Sequence, residues 1–209
     1  MSRRTYAHSI GGTELDDEEL QGYRQRVRAA NSHAFELAEQ GDVQSLISLL
    51  HSPLKTENIS VRFSALMHLG KMGSNDAIPH ITPLLGDEDH TIRAGAIVAL
   101  TRLGASDAAS RVAAALDDPH PGVRQRAAES LALLGSNDVE FTSALSRALE
   151  DDVWHVRREA LKTLAVLRAV DSIPAIEASK RNERPWRRRH ANTALRLLRA
   201  KTGHGVGAN

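Results

Sequence analysis

VRQRAAESLALLG (Val123–Gly135) decides the fold of this chain, because closely similar segments occur four more times. Successive copies are 31, 31, 33 and 31 residues apart, and they begin at Val61, Ile92, Val123, Val156 and Arg187. A fixed period of this length is typical of solenoids, in which each unit buries its apolar face only against its neighbours. The repetition therefore predicts a stack of about five similar units.

Each copy is predicted to be the second helix of a pair. In the third copy, Val123, Ala127, Leu131 and Leu134 are three or four residues apart, so they fall on one face of an α-helix. A first helix is predicted before each copy, because an aspartate there can cap free backbone amides at the positive helix end. These first helices are expected to open near Asp42, Asp76, Asp107, Asp138 and Asp171.

Proline and glycine positions predict where helices bend or end. Pro83 lies beyond the first turn of its helix and is expected to kink or shorten it. Gly73, Gly104 and Gly135 stand at the ends of second helices, where a left-handed residue commonly stops the helix. The fourth unit has Arg168 at that position and carries two extra residues, so the solenoid is expected to be least regular there.

The repeats divide the chain into a cap, five units and two terminal segments. A helical cap is predicted for residues 13–41, because the open end of the first repeat must be covered. Residues 1–12 and 200–209 are expected to be disordered. The five repeats are predicted at 42–73, 74–104, 105–135, 136–168 and 169–199.

The VRxxAxxxLxxLG core, with an Asp-rich turn before it, resembles the short HEAT-like repeats of phycobilisome-lyase subunits. The resemblance covers roughly residues 42–199. It implies an all-α, right-handed α-solenoid of about five HEAT-like helix pairs with an N-terminal helical cap. Such repeats occur in bilin lyases, transport adaptors, DNA-repair enzymes and scaffolds, so the resemblance indicates a fold more sharply than a function.

Composition and missing motifs remove several classes of chemistry. The chain has no cysteine, which excludes disulfides, thiolate metal sites and cysteine nucleophiles. Motifs of zinc hydrolases, phosphate-binding loops and serine hydrolases are missing, so we predict no catalytic residue, metal site or cofactor. No apolar segment approaches the roughly 18 residues of a membrane-spanning helix, and no apolar run follows the basic start. We therefore expect a cytoplasmic protein that binds no membrane.

Charge is distributed unevenly, although the formal net charge is only +1. Residues 74–153 contain 6 basic and 13 acidic residues, a net charge of −7. Residues 180–201 contain 9 basic residues and one acid, a net charge of +8. Such asymmetry bears on the partner of a protein more than on its fold.

One face of the second helices is the candidate partner-binding surface. Its positions lie two, six and ten residues after the start of each copy, away from the core stripe, and the resemblance places them on the concave side. We call this surface the second-helix face; several of its residues are more apolar than solvation requires. The candidate partner-binding residues are Phe63, Met67, Val98, Arg102, Glu129, Arg158, Lys162 and Arg189. The alternative is that these side chains pack between adjacent repeats.

A basic run near the end of the repeats is a second candidate site. It could neutralise a nucleic-acid backbone, bind an acidic protein, or keep the terminal repeat solvated. A single tryptophan is not the interleaved aromatic set of a single-strand binder. The residues of this basic patch are Lys180, Arg181, Arg184, Trp186, Arg187 and Arg188.

An arginine recurs in one register of the second helices. Its positions are Arg62, Arg93, Arg124, Arg157 and Arg188, with Asp87, Asp118 and Asp151 six residues before three of them. In HEAT-like proteins the comparable residues form a ladder of ion pairs, so the resemblance implies a structural role. The alternative is a row of anion sites, because guanidinium matches phosphate as well as carboxylate. The first and last repeats lack the matched aspartate, so their arginines are expected to be freer.

Three histidines lie in successive turns between paired helices, at His90, His120 and His155. Their offsets from the repeat arginine differ, so they are not expected to form a row. We predict no metal site from them.

The patterns together favour a non-catalytic adaptor or scaffold that binds another protein through the second-helix face. We expect the partner to have an acidic surface, because basic residues on this face can steer it. Two alternatives remain: a chaperone-like subunit of a bilin lyase, implied by the repeat subtype, and a nucleic-acid binder using the basic patch. The oligomeric state is left open by the sequence.

Overall fold

The computed structural model describes residues 9–10, 13–14, 17–51, 56–134, 138–182 and 188–200. The helices are α1 (Asp17–Glu39), α2 (Val43–Leu50), α3 (Thr56–Met72), α4 (Ile78–Ile81), α5 (His90–Arg102), α6 (Ala109–Ala114), α7 (Pro121–Leu134), α8 (Val139–Arg147), α9 (Trp154–Val166), α10 (Ile173–Asn182) and α11 (Arg188–Arg199). Two-residue strands, β1 (Ser9–Ile10) and β2 (Thr13–Glu14), pair antiparallel before α1. The expected disorder of 1–12 and 200–209 falls mostly outside these residues, although β1 lies within the first segment.

The helices form a two-layer α-solenoid, as predicted. Helices α3, α5, α7, α9 and α11 pack side by side in one layer. The other layer contains α2, α4, α6, α8 and α10, each packed on the helix that follows it. Helix α1 packs on α3 and α2, at the end where a cap was predicted. It is one continuous helix of 23 residues.

The core follows the predicted apolar stripe. Ala127 and Leu131 of α7 are fully buried, and so are their equivalents Ala96 with Leu100 and Ala160 with Leu164. The third residue of the stripe is only half-buried in several units, as at Leu103, because it lies at the end of its helix. Burial of the first two positions in each unit therefore supplies most of the apolar contact between layers.

First-helix openings follow the aspartate rule only in part. Asp42 caps α2 by accepting from the Ser45 amide at 3.0 Å, and Asp138 caps α8 by accepting from the Glu140 amide at 3.1 Å. Near Asp76, Asp107 and Asp171 the first helices open as predicted, but each aspartate lies inside a three-residue 3₁₀ turn instead of capping the helix. Each carboxylate lies in the first turn of its 3₁₀ segment, where a negative charge is favoured near the free amides.

Pro83 shortens its helix as expected. Helix α4 spans only four residues and continues as the 3₁₀ segment Thr82–Gly86, with Pro83 in its first turn. Comparable 3₁₀ turns, Ala115–Asp117 and Ala148–Glu150, end the two following first helices. In those two units the first helix ends in the same change of helix type, although neither first helix contains a proline.

The α3–α5 contact is tight because a glycine lies in it. A Cβ atom built on Gly95 would approach Phe63 at 2.9 Å and Leu66 at 3.1 Å. Because Gly95 has no side chain, the Phe63 ring fits between the two adjacent repeats. Phe63 is half-buried in this position.

The turn after α9 keeps the conformation of its counterparts. Gly73 and Gly104 have φ angles of 72° and 64°, and Arg168 has a φ angle of 57° at the equivalent position. The backbone amide of Ala169 donates a hydrogen bond to the Leu164 carbonyl at 3.0 Å. The amide of Ala105 donates to the Leu100 carbonyl in the same way, also at 3.0 Å. The expectation of irregularity at this turn is therefore wrong, because the arginine adopts the left-handed conformation.

Candidate functional site

A ladder of charged side chains runs across the turns between paired helices. Arg93 Nε and Nη2 donate to the Asp118 carboxylate at 2.7 and 2.8 Å. Arg124 Nε and Nη2 donate to the Asp151 carboxylate at 2.6 and 3.0 Å. Each arginine pairs with the aspartate of the following repeat, so the ladder joins neighbouring units.

The same arginines also fix their own turns. Arg124 Nη1 donates to the carbonyls of Asp118 and Pro119 at 3.0 and 3.2 Å. Asp118 Oδ1 in turn accepts from the His120 amide at 2.8 Å. The guanidinium donors of Arg93 and Arg124 are thus engaged within the protein, and these arginines have a structural role. This role disfavours the alternative in which they form a row of anion sites.

Arg62 is not the freer residue that the sequence predicted. It is 4% exposed, donates through Nε to the Leu50 carbonyl at 2.9 Å, and forms an ion pair with Asp87. Arg62 pairs with an aspartate of the next repeat. It therefore keeps a partner although its own repeat lacks the matched aspartate. Arg188 is not without a partner either.

The ladder holds its carboxyl groups in the charged form. Burial disfavours the charge of Asp118, but hydrogen bonds from Arg93 and the His120 amide outweigh burial and lower the pKa of this carboxyl. The pKa of Asp151 is lowered in the same way, with burial opposed by Arg124 and the Val153 amide. Both carboxylates therefore contribute stability above about pH 4, and it is lost as the pH falls through their lowered pKa values.

The N-terminal half of the second-helix face is partly packed. Phe63, Met67 and Val98 are each half-buried, and Phe63 lies against Gly95 of the next repeat. Arg102 Nη1 donates to the Met67 carbonyl at 3.5 Å. Phe63 thus fits the alternative stated above, in which side chains of this face pack between adjacent repeats.

The C-terminal half of this face exposes three large apolar side chains in one register. Leu133 is 77% exposed, Val166 is 62% exposed and Leu197 is 54% exposed. Each lies ten residues after the start of its copy, and we call the three residues the apolar row. Their position belonged to the predicted second-helix face, but these three residues were not among the candidate partner-binding residues named from the sequence.

An open groove lies between α9 and α11 at the end of this row. Its volume is about 620 Å³, and its floor is largely aliphatic. Two basic side chains and one imidazole lie at its rim: Lys162, Arg168 and His190. The lining residues are Leu161, Lys162, Ala165, Val166, Arg168, His190, Thr193, Ala194 and Leu197. We call this the α9–α11 groove.

Several predicted site residues surround the groove. Glu159 is buried and accepts from Arg158 Nε at 3.0 Å and Lys162 Nζ at 3.1 Å. Arg158 also lies over the Trp154 ring, 5.0 Å from its centroid. Arg189 is exposed on the first turn of α11. Glu129, farther along the face, pairs with Arg126 at 2.7 Å and is half-exposed.

The basic patch is described only in part. Lys180 and Arg181 lie in the last turn of α10, and Arg188 is the first residue of α11. The remaining members, Arg184, Trp186 and Arg187, lie outside the described residues.

Two histidines stack although the sequence predicted no row. The rings of His90 and His120 lie 3.8 Å apart between centroids, at an interplanar angle of 23°. His90 is the first residue of α5 and His120 immediately precedes α7, so both rings lie at the start of a second helix and meet across adjacent repeats. His155 packs instead on Trp154 of its own helix, at 3.7 Å between centroids.

Neither a metal-binding cluster nor a membrane-spanning helix is present within the described ranges. No group of three or more histidine and acidic side chains is placed to hold a metal ion there. No helix among these residues has the length and apolar character needed to cross a membrane.

His190 makes the groove end of the solenoid sensitive to pH. Burial lowers the pKa of His190, and the positive charges of Arg189, Arg158 and Lys162 lower it further. Between about pH 6.5 and the lowered value, the unfolded chain binds a proton that the native chain does not. The free energy of unfolding is therefore expected to fall as the pH falls through this window.

The measurement is urea unfolding between about pH 7.5 and 5.5, for the wild type and His190→Gln. The stability advantage of the wild type over His190→Gln should shrink toward the acidic end. A difference that stays constant or grows would contradict the lowered pKa.

The repeats of this chain match a known family of protein repeats. A family model for HEAT repeats matches residues 20–101, 81–140 and 110–196. No curated protein sequence matches the chain.

Solved structures with a similar fold include designed repeat proteins. A designed armadillo repeat protein in complex with the peptide (KR)4 is 20% identical, with a TM-score of 0.63, over 88% of this chain and 94% of that chain. A computationally designed armadillo repeat protein for modular peptide recognition is 21% identical, with a TM-score of 0.59, over 87% of this chain and 94% of that chain. These likenesses concern the fold alone.

A natural lyase is also similar, at a lower level. The complex of CpcE and CpcF, a phycocyanin lyase from Nostoc sp., is 17% identical over 94% of this chain and 100% of that chain. Its TM-score is 0.38, which is too low to carry an argument about this chain.

Proposed function

This chain belongs to the HEAT-repeat family, and we propose that it is a non-catalytic adaptor that binds another protein through its second-helix face. The observation that carries the proposal is the apolar row of Leu133, Val166 and Leu197. Exposed large apolar residues aligned on one face mark interaction surfaces more often than isolated ones do. Basic side chains beside such a row favour a partner with an acidic surface.

The proposed contact residues have two different tasks. Val166 and Leu197 supply apolar contact area, because more than half of each side chain is exposed. Arg158, Lys162 and Arg189 orient the acidic partner from the adjacent positions of α9 and α11. Met67, Val98 and Arg102 extend the surface toward the N-terminal end with less exposed apolar area, while Phe63 packs between repeats.

The comparisons support this reading at the level of architecture. A designed solenoid with a similar fold was solved in complex with a peptide, (KR)4, so such a scaffold can bind a peptide. The charge of this chain's face differs from what a basic peptide requires, since the groove rim is itself basic. A protein partner of acidic character therefore fits better.

The test is quantitative co-purification from native lysate, with nuclease treatment, followed by mass spectrometry. We expect partners that bind the wild type and are lost, at least about ten-fold, with Val166→Asp/Leu197→Asp, because a buried unpaired charge opposes an apolar contact. The matched control is Val139→Asp, since Val139 is 73% exposed but lies on a first helix. Nucleic acid retained without any partner that depends on this face would contradict the proposal.

A further inference from the structure

Arg168 adopts a backbone conformation that disfavours a side chain. Among the described residues it is the only one other than glycine with a positive φ angle, 57°. Gly73 and Gly104 occupy the equivalent turns at 72° and 64°. In this region the Cβ atom of an L-residue crowds the following carbonyl, so glycine would be more stable here. An observed outlier of this kind points to a task for the side chain.

The position of the side chain suggests that task. Arg168 is exposed and lines the α9–α11 groove together with Lys162 and His190. Within the part of the chain that the structure describes, no hydrogen bond or ion pair engages its guanidinium group. The guanidinium group is therefore available to a ligand in the groove.

Neighbouring charges leave the groove positive. None of the lining residues that the structure describes is acidic. The nearby carboxylate of Glu159 is already engaged by Arg158 and Lys162. Helix α11, with the sequence RRHANTALRLLR, adds further positive charge and no acid. An anionic group is thus favoured at this rim.

The floor of the groove selects between kinds of anionic ligand. Val166 and Leu197, with Ala165 and Ala194 between them, present aliphatic surface to the groove. Among the residues that the structure describes, the lining contains no Phe, Tyr or Trp and has His190 as its one aromatic side chain, so it offers little of the stacking surface that nucleic-acid bases prefer. Aliphatic surface beside guanidinium and ammonium groups fits a peptide that carries both an apolar side chain and carboxylates.

We propose that the α9–α11 groove binds an acidic peptide segment of the partner. An aliphatic side chain of the peptide lies between Val166 and Leu197, and flanking carboxylates pair with Arg168 and Lys162. The inference rests on the proposed function and deepens it by giving the chemistry of the partner. Arg168 is the residue that determines specificity, since its planar fork can bind a carboxylate through two hydrogen bonds.

The test is selection of short random peptides displayed on phage against the full chain, followed by affinity measurements with the selected peptides. We expect peptides in which acidic residues flank an aliphatic one. Arg168→Gly should weaken their binding at least about ten-fold, because a charged hydrogen-bonded pair is lost. The same variant should raise Tm by roughly 2–4 °C, since glycine relieves the left-handed conformation. Arg111→Gln, which removes an exposed arginine from α6, is the control and should change neither quantity.

The failures of the two proposals are distinguishable. Peptides without acidic residues, peptides that bind Arg168→Gly as tightly as the wild type, or no selected peptide at all would overturn the inference. So would binding of a short single-stranded DNA that requires Arg168, which would assign the groove to nucleic acid. The proposed function fails separately, when co-purification yields no partner that depends on Val166 and Leu197.

Discussion

Replacing Arg124 with alanine is expected to lower the free energy of unfolding by about 3 kcal/mol, because it leaves the carboxylate of Asp151 buried without its cation. The side chains of Arg124 and Asp151 are 13% and 8% exposed, so solvent screens their interaction only weakly. The variant also loses the bonds that Arg124 donates to the Asp118 and Pro119 carbonyls. A change of this size corresponds to a Tm lower by roughly 6–12 °C.

The control for this prediction lies two residues away on the same helix. Arg126 pairs with Glu129 at 2.7 Å, but both side chains are about half exposed, at 49% and 50%. Arg126→Ala is expected to change the free energy of unfolding by less than about 1 kcal/mol, as exposed ion pairs usually contribute little. Urea unfolding followed by circular dichroism measures both variants. Equal losses in the two would contradict the structural role of the ladder.

Leu131→Ala is expected to destabilise the chain by about 3–4 kcal/mol, because it opens a cavity in the middle of the solenoid. Leu131 is fully buried and belongs to the apolar core on which α7 packs. Neighbouring repeats hold the cavity open from both sides, since each unit is stabilised by its neighbours. Denaturant unfolding at constant protein concentration gives the loss of free energy.

Leu133→Ala is the matched comparison for Leu131→Ala. It removes the same atoms from the same helix, but Leu133 is 77% exposed. We expect its effect on stability to stay within about 0.5 kcal/mol, the usual range for surface substitutions. A loss at Leu133 as large as at Leu131 would mean that the second-helix face is packed and not available to a partner.

The repeat pattern predicted most of the fold because it reports which residues face the core. Ala127 and Leu131 were assigned to the buried stripe from their spacing, and both are fully buried. The openings near Asp76 and Asp107 were predicted in the right place, but the capping role of both aspartates was wrong, since each lies inside a 3₁₀ turn. Local sequence carries little information on the choice between a capped α-helix and a 3₁₀ turn.

The candidate site was less predictable, because exposure depends on how repeats stack. Phe63 was expected to contribute to a binding surface, but the space above Gly95 places its ring between repeats. Leu133 and Val166 lie at the tenth position of their copies, which was assigned to the second-helix face, but this position is basic at Lys71 and Arg102, so the apolar row was not singled out from the sequence. The pairing of Arg62 with Asp87, 25 residues away, likewise required the geometry of adjacent turns.

Site-specific photo-crosslinking in cells tests the central claim, that the second-helix face binds another protein, most directly. A photoreactive phenylalanine analogue would replace Leu133 or Val166 on this face, and Val139 on a first helix as the control of equal exposure. The account predicts discrete protein adducts from positions 133 and 166 and none from position 139. Adducts only from position 139, or nucleic-acid adducts in place of protein at positions 133 and 166, would contradict it.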